Sequence, residues 1–194
     1  TNSTIVDPKG AIHTHRNFIN NLLGVNRYLP ASESDQLLSV LPLNHALEFT
    51  CGFLMVLNAG ATVTYLNSLK PKVILGIMKE VGATCMLGVP TLYALIREDT
   101  ERRLLKAPKS ALKSNLLGTS KQSSLPVGKK LGKNVGRQSL ARIHREFGGQ
   151  IRLFVSGGSA LGKELYEDFQ GLGMPIYEGY GLTETAPVLT VNPL

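Results

Sequence analysis

The sequence predicts an α/β fold: a mostly parallel sheet with helices on both faces. Two observations predict it. Short β-branched or apolar runs alternate with segments of helical spacing, from Phe18 to Glu101 and again from Arg137 to Tyr177, as successive βα units require. Three polar loops, 42–45, 156–159 and 179–184, also fall directly after candidate strands. Ligand sites of such sheets gather at the carboxyl ends of the strands.

The elements follow in order. Phe18 to Tyr28 places Phe18, Leu22 and Val25 on one side, with Ile19 and Leu23 adjoining, which is helical spacing. Gln36 to Leu43 reads as a short buried strand. Glu48 to Asn58 reads as an apolar helix stopped by Ala59-Gly60, and Ala61 to Leu66 as a strand rich in β-branched and aromatic residues. Pro71 to Val81 suits a helix with proline in its first turn and Gly82 at its end. Ala83 to Val89 is a further strand, after which Thr91 can cap a helix running into Arg97–Arg103. Ser139, Ile143 and Phe147 mark one side of a helix ended by Gly148-Gly149. Ile151 to Val155 is a strand, Lys163 to Phe169 a helix, and Pro175 to Tyr177 a last short strand.

Composition bounds the rest. The chain of 194 residues, 43% of them hydrophobic, can bury one large core. Its longest apolar-biased stretch, Phe49 to Ala61, is interrupted by Thr50, Gly52, Asn58 and Gly60 and is too short to span a bilayer. Thr1-Asn2-Ser3-Thr4 lacks the basic flank and apolar segment of a secretory signal. Cys51 and Cys85 each sit among apolar residues; they read as buried free thiols, and the expected compartment is the reducing cytoplasm.

The net charge of +7 is uneven. Of the 21 Lys and Arg, 12 lie between Arg102 and Arg145, a stretch without Asp or Glu; the remainder of the chain has nine basic residues against 14 acidic ones. Residues 106–136 read as a basic, mobile insertion. The basic stretch has no aromatic residue, which argues against nucleic acid. A peripheral contact with anionic membrane suits it better, and a solvated loop is the bland alternative.

The run Gly179-Tyr180-Gly181-Leu182-Thr183-Glu184 holds parts that a nucleotide site uses. Glycines let the backbone turn and approach a ligand. Tyr180 offers a flat face for a base, Thr183 a hydroxyl for a phosphate oxygen, and Glu184 a hard oxygen for Mg²⁺. By residue type alone, a glycine-rich turn with a Thr-Glu helix cap fits equally well.

Tyr180-Gly181-Leu182-Thr183-Glu184 resembles the Y-G-x-T-E signature of adenylate-forming enzymes: acyl-CoA synthetases, luciferases and peptide-synthetase adenylation domains. Ser156-Gly157-Gly158-Ser159-Ala160-Leu161 resembles the family's S-G-G-A-x-L loop. Pro8 to Asn17 resembles P-K-G-V-x-x-T-H-x-N, Leu41 to His45 L-P-L-x-H, and Gly88 to Tyr93 G-V-P-T-x-Y. With Glu48 three residues after His45, the likeness is strongest to long-chain fatty acid–CoA ligases. It covers nearly the whole chain apart from the basic insertion, and corresponds to part of the family's large AMP-binding domain without its small C-terminal domain.

The resemblance implies roles. Tyr180 packs on adenine beside Gly181, and the backbone of Gly157, Gly158 and Ser159 borders it. Thr183 binds the α-phosphate, Glu184 holds Mg²⁺, and His45 lies beside the carboxylate and the acyl pocket. Thr1, Thr4 and Lys9 serve the outer phosphates. His13 and His15 are left as structural, bonding near the loop. The parent reaction joins a fatty acid to ATP as acyl-adenylate and then to coenzyme A, and the 194 residues alone are expected to be inactive.

The phosphate loop departs from the family's T-S-G-T-T-G-x-P-K-G. Ser3 and Val6 stand where the family has glycine, and Ile5 replaces threonine. A β-branched Val resists the positive φ that glycine supplies. A non-catalytic nucleotide-binding piece is therefore the alternative, alongside another kind of adenylate-forming enzyme.

Overall fold

The computed structural model describes residues 10–105 and 141–192. The phosphate-loop residues Thr1, Thr4 and Lys9, and the basic 106–136 segment, lie outside the described residues. The elements are α1 (His15–Tyr28), β1 (Gln36–Ser39), a π-helix (Glu48–Leu54) continuing as α2 (Met55–Ala59), β2 (Thr62–Tyr65), α3 (Pro71–Val81), β3 (Cys85–Gly88), α4 (Pro90–Leu105), α5 (Ala141–Glu146), β4 (Leu153–Ser156), α6 (Lys163–Gly171), β5 (Ile176–Gly181), a 3-10 turn (Thr183–Thr185) and β6 (Val188–Val191).

The strands form one six-stranded sheet in the order β2-β1-β3-β4-β5-β6. Every pairing is parallel except β5 with β6. The chain moves from β1 outward to β2, then returns past β1 to β3 and continues to β4 and β5. This reversal puts a topological switch point between the carboxyl ends of β1 and β3, where open α/β sheets form a crevice.

Period-two alternation sends neighbouring strand residues to opposite faces. Leu38, Met86, Phe154 and Ile176 join one core with α3, α4, α5 and α6. Leu37, Cys85, Leu87, Leu153 and Val155 join a second core with α1, the π-helix and α2. Helices thus cover both faces, as the sequence predicts. On the first face Phe154 meets Tyr93, Phe147 and Phe169 edge-on at 5.4, 5.9 and 5.5 Å. Such pairs contribute roughly 0.5–1.5 kcal/mol each beyond the area they bury.

The Thr-His-x-Asn stretch turns out to be a helix start. The Thr14 N–H donates to Asn17 Oδ1 at 2.8 Å, and the Asn17 N–H donates to Thr14 Oγ1 at 3.3 Å, a reciprocal capping box. Helix α1 therefore begins at His15, ahead of the expected Phe18. Pro71 opens α3 and Gly82, at φ 62°, closes it, as proline and glycine do.

Several expected boundaries shift. Strand β1 ends at Ser39, not Leu43, because Pro42–His45 is a turn closed by the His45 N–H on the Pro42 carbonyl at 3.0 Å. Helix α4 starts at Pro90, ahead of the expected Thr91 cap. The expected α-helix over 48–58 opens as a π-helix, and β6 has no counterpart in the sequence reading. Strand β5 extends through Gly181, so Tyr180 and Gly181 lie on a strand and not in a loop. The antiparallel partner β6 extends it by pairing Tyr180 with Thr190.

At the amino ends of the strands, opposite the crevice, Arg152 grips Asp35 in a two-pronged pair. Nε and Nη2 donate to Oδ1 and Oδ2, both at 2.7 Å. Thr84 Oγ1 also donates to Asp35 Oδ1 at 2.7 Å. Burial alone raises the Asp35 carboxyl, but the bonds from Arg152 and Thr84 outweigh it and hold the acid well below its ordinary value.

Candidate functional site

Three segments converge at the carboxyl ends of the central strands. The loop after β1 ends in Leu47, whose side chain covers Gly157: a Cβ on Gly157 would come 2.8 Å from Leu47 Cδ2 and 3.6 Å from the Gly179 carbonyl. The loop after β4 is therefore pressed between the 42–47 segment and β5. The Leu161 N–H donates to Glu178 Oε1 at 2.6 Å and ties the far end of that loop to β5. Gly157 is buried, while Gly158, at φ 84°, and Ser159 are exposed. The left-handed conformation at Gly158 is one that glycine adopts without cost.

Along β5 the chain rises into the open. Tyr180 is 59% exposed and presents its ring to solvent, as Leu182 does its side chain. Gly181 is needed for a close approach: a Cβ there would lie 2.0 Å from the Pro187 carbonyl oxygen. Thr183 and Glu184 are exposed on the 3-10 turn, and among the described residues neither side chain has a hydrogen-bond partner. Thr185 closes the turn from inside. Its hydroxyl lies against the Leu182 and Pro187 carbonyls, and its Oγ1 accepts the Leu182 N–H at 3.0 Å.

A hydroxyl, a carboxylate, an exposed aromatic face and a glycine backbone thus share one rim. These donors fit a nucleoside phosphate with Mg²⁺: the oxygens are hard and the carboxylate is unpaired among the described residues. Among the described residues no cluster of three or more His, Cys, Asp or Glu could hold a metal by itself. Glu184 would be a single protein ligand, the pattern of Mg²⁺ held jointly with substrate phosphates.

His45 is exposed at the start of the helical segment leading to the π-helix, where its carbonyl accepts the Phe49 N–H at 2.9 Å. His13 Nε2 donates to the Thr183 carbonyl at 2.7 Å, the structural bond near the loop expected of it. His15 is the exposed first residue of α1.

Glu48 is fully buried at the switch point. Ser39 Oγ, at the end of β1, donates to Glu48 Oε1 at 2.5 Å, while Oε2 has no partner among the described residues. The carboxyl fits only because residue 52 is glycine; a Cβ there would lie 2.1 Å from Oε1. Burial pushes this acid up to about 7, with the Ser39 bond opposing. Burial pushes the neighbouring Cys51 thiol up to about 12, reinforced by the Glu48 charge. Sequence reading used Glu48 only as part of a motif. Nothing in residue order announces a buried acid under a π-helix, a geometry that recurs at functional sites.

Comparison with known proteins identifies the family. The profile of the AMP-binding enzyme family matches residues 4–194, and the chain belongs to that family, the adenylate-forming enzymes its motifs resemble. It is 28% identical over 196 residues to long-chain-fatty-acid–CoA ligase 2 of Schizosaccharomyces pombe, covering 95% of this chain and 28% of that protein. It is 31% identical over 200 residues to long chain acyl-CoA synthetase 1 of Arabidopsis thaliana, covering 95% and 29%. Among solved structures, apo MatB from Rhodopseudomonas palustris superposes with a TM-score of 0.65 at 28% identity, over 99% of this chain and 30% of that one. The chain spans under a third of the length of each.

Proposed function

We propose that this chain is the nucleotide-binding part of an enzyme that activates a fatty acid with ATP and transfers it to coenzyme A. The observation that carries the proposal is the shared rim of Tyr180, Thr183 and Glu184 beside the Gly157–Ser159 loop. Its position at the carboxyl ends of a parallel sheet supports the reading, as do the names of the two ligases.

In this reading adenine lies on Tyr180, against Gly181 and the Gly157, Gly158 and Ser159 backbone. Thr183 donates to an α-phosphate oxygen, and Glu184 would hold Mg²⁺, which would supply positive charge against the phosphates. Thr1, Thr4 and Lys9 serve the outer phosphates. His45 orients the fatty carboxylate, which attacks the α-phosphorus; the bond to pyrophosphate breaks and acyl-adenylate forms. The thiol of coenzyme A then attacks the acyl carbon and AMP leaves. Both steps depend on positioning and charge neutralisation. The long-chain acid is supported by the ligases' names and by the Leu41–His45 motif with Glu48.

Calorimetric titration with AMP and Mg²⁺ tests the core of the proposal. Binding is expected at one site and is expected to weaken at least tenfold, about 1.4 kcal/mol, in Tyr180→Ala. Equal affinity in wild type and variant would refute it. The 194 residues alone are expected to release little pyrophosphate from ATP with a fatty acid, and robust release would contradict that.

A second reading, a nucleotide-binding piece without catalysis, is favoured by Ser3, Ile5 and Val6 in the phosphate loop. It expects ATP to bind no better than AMP, whereas a working loop gives ATP a clear advantage.

The proposed setting is cytoplasmic, with the basic stretch touching anionic membrane. No helix of the described residues is long and apolar enough to cross a bilayer. Liposome sedimentation checks the contact: binding that ignores lipid charge counts against it.

A further inference from the structure

We propose that Asn21 is a positioning residue for the Thr183–Thr185 turn, its side-chain amide clamping the turn to α1 and so setting where Thr183 and Glu184 present their oxygens. The inference rests on the proposed nucleotide roles of Thr183 and Glu184, and it adds a residue that none of the motifs contains.

Asn21 uses its amide on both sides. Nδ2 donates to the Val188 carbonyl at 2.6 Å and to the Thr185 carbonyl at 3.3 Å. Oδ1 accepts the Val188 N–H at 3.2 Å. A side chain must carry two N–H donors and an acceptor to do this, which restricts the choice to a carboxamide. Aspartate would set a carboxylate against two carbonyl oxygens, and alanine would leave all three backbone groups without this partner.

The helix that carries Asn21 is a firm base. Its start is fixed by the Thr14–Asn17 capping box. Its inner side buries Leu22 and Val25, Val25 in the second core. The turn itself needs such a base. It sits at the tip of the β5/β6 pair, and β6 is the edge strand of the sheet, where local opening is least costly. Two lesser tethers act with Asn21: His13 Nε2 on the Thr183 carbonyl at 2.7 Å, and Thr50 Oγ1 donating to the Ala186 carbonyl at 3.4 Å. The backbone is thus held at residues 183, 185, 186 and 188 from beneath, while the Thr183 and Glu184 side chains point to no described partner.

The test is calorimetry of the full chain with AMP over a series of Mg²⁺ concentrations, for wild type, Asn21→Ala, Asn21→Ser and Asn21→Asp, each well below its unfolding temperature. In every variant that folds, the AMP dissociation constant and the half-saturating Mg²⁺ are expected to rise roughly tenfold, as loss of one or two net hydrogen bonds would give. A purely structural role would lower the fraction of molecules that bind and leave both constants unchanged; that result overturns the proposal. Hydrogen exchange of wild type needs no variant. The Val188 amide is expected to be protected, and more so with AMP bound, and a freely exchanging Val188 overturns the clamp. Wild type that binds no AMP would overturn the nucleotide reading, and the positioning role with it. That outcome is distinct from intact wild-type binding with unaltered variants.

Discussion

Replacing Glu48 by glutamine tests the buried carboxyl at the switch point. The acid has no exposed surface, and its native value of about 7 lies above the ordinary 4.5. Below 4.5 the carboxyl is protonated in both folded and unfolded chains and carries no penalty. Between 4.5 and 7 the unfolded chain loses the proton while the folded chain keeps it, so stability falls as pH rises; above 7 the loss is complete. Each pH unit across that window costs about 1.4 kcal/mol, so the full penalty over its roughly 2.5 pH units is about 3.4 kcal/mol. Glutamine keeps the shape, still accepts from Ser39 Oγ, and has no charge to desolvate. Glu48→Gln is therefore expected to match wild type near pH 4 and to exceed it by about 3 kcal/mol at pH 8, a rise in melting temperature of roughly 5–10 °C for a domain of this size. Thermal unfolding followed by circular dichroism at both values checks it. A difference between the two proteins that does not change with pH would refute the reasoning, as would a glutamine variant less stable at pH 8.

Further perturbations probe other parts of the fold. Asp35→Asn removes the acceptor that Arg152 and Thr84 share; with the Arg152 side chain 40% exposed, the cost at pH 7 is about 2–3 kcal/mol by denaturant titration. Because the Asp35 acid is held low, that stabilisation is present above its ordinary 3.8 and is lost as pH falls, so the gap to the variant narrows in acid. Tyr93→Phe deletes a hydroxyl whose one proton is shared between the Met86 and Val155 carbonyls, at 3.0 and 2.8 Å; a loss of about 1–2 kcal/mol by denaturant titration is expected. Gly181→Ala drives a Cβ into the Pro187 carbonyl and should abolish AMP binding while leaving most of the circular dichroism intact. Cys51 and Cys85, both buried, with their thiols pushed up to about 12 and about 11, are expected to react with a thiol reagent at pH 8 only after denaturant is added; rapid native labelling would contradict this.

The site was legible in part because its chemistry is local. Gly-Tyr-Gly and Thr-Glu are close in sequence and stay close in space; their residue types allowed a base, a phosphate and a metal but fitted a glycine-rich turn equally well, and the family signature favoured the nucleotide roles proposed for them. The clamp that holds them was not legible. Asn21 and Val188 are far apart in the chain, and an asparagine within a helical pattern looks like any solvated polar residue until the turn is seen above it. Strand β6 escaped notice for a similar reason: residues 188–191 are few and none is fully buried, and only pairing with β5 makes them a strand. The Glu48 carboxyl over Gly52 is an i,i+4 contact that helical spacing allows; what residue order does not show is that Ser39, at the end of β1, lies within hydrogen-bond reach of it.

Sequence by itself determined the α/β class, since buried apolar strands and helical segments follow from local periodicity. It also determined the family, since the motifs carry their chemistry at short range. Tertiary structure decided the strand order, the switch point that sets Glu48 beneath the crevice, and the extension of β5 that lifts Tyr180 to the rim. Those depend on which distant segments pack together, and backbone pairing and burial supply that free energy only once the chain has closed on itself.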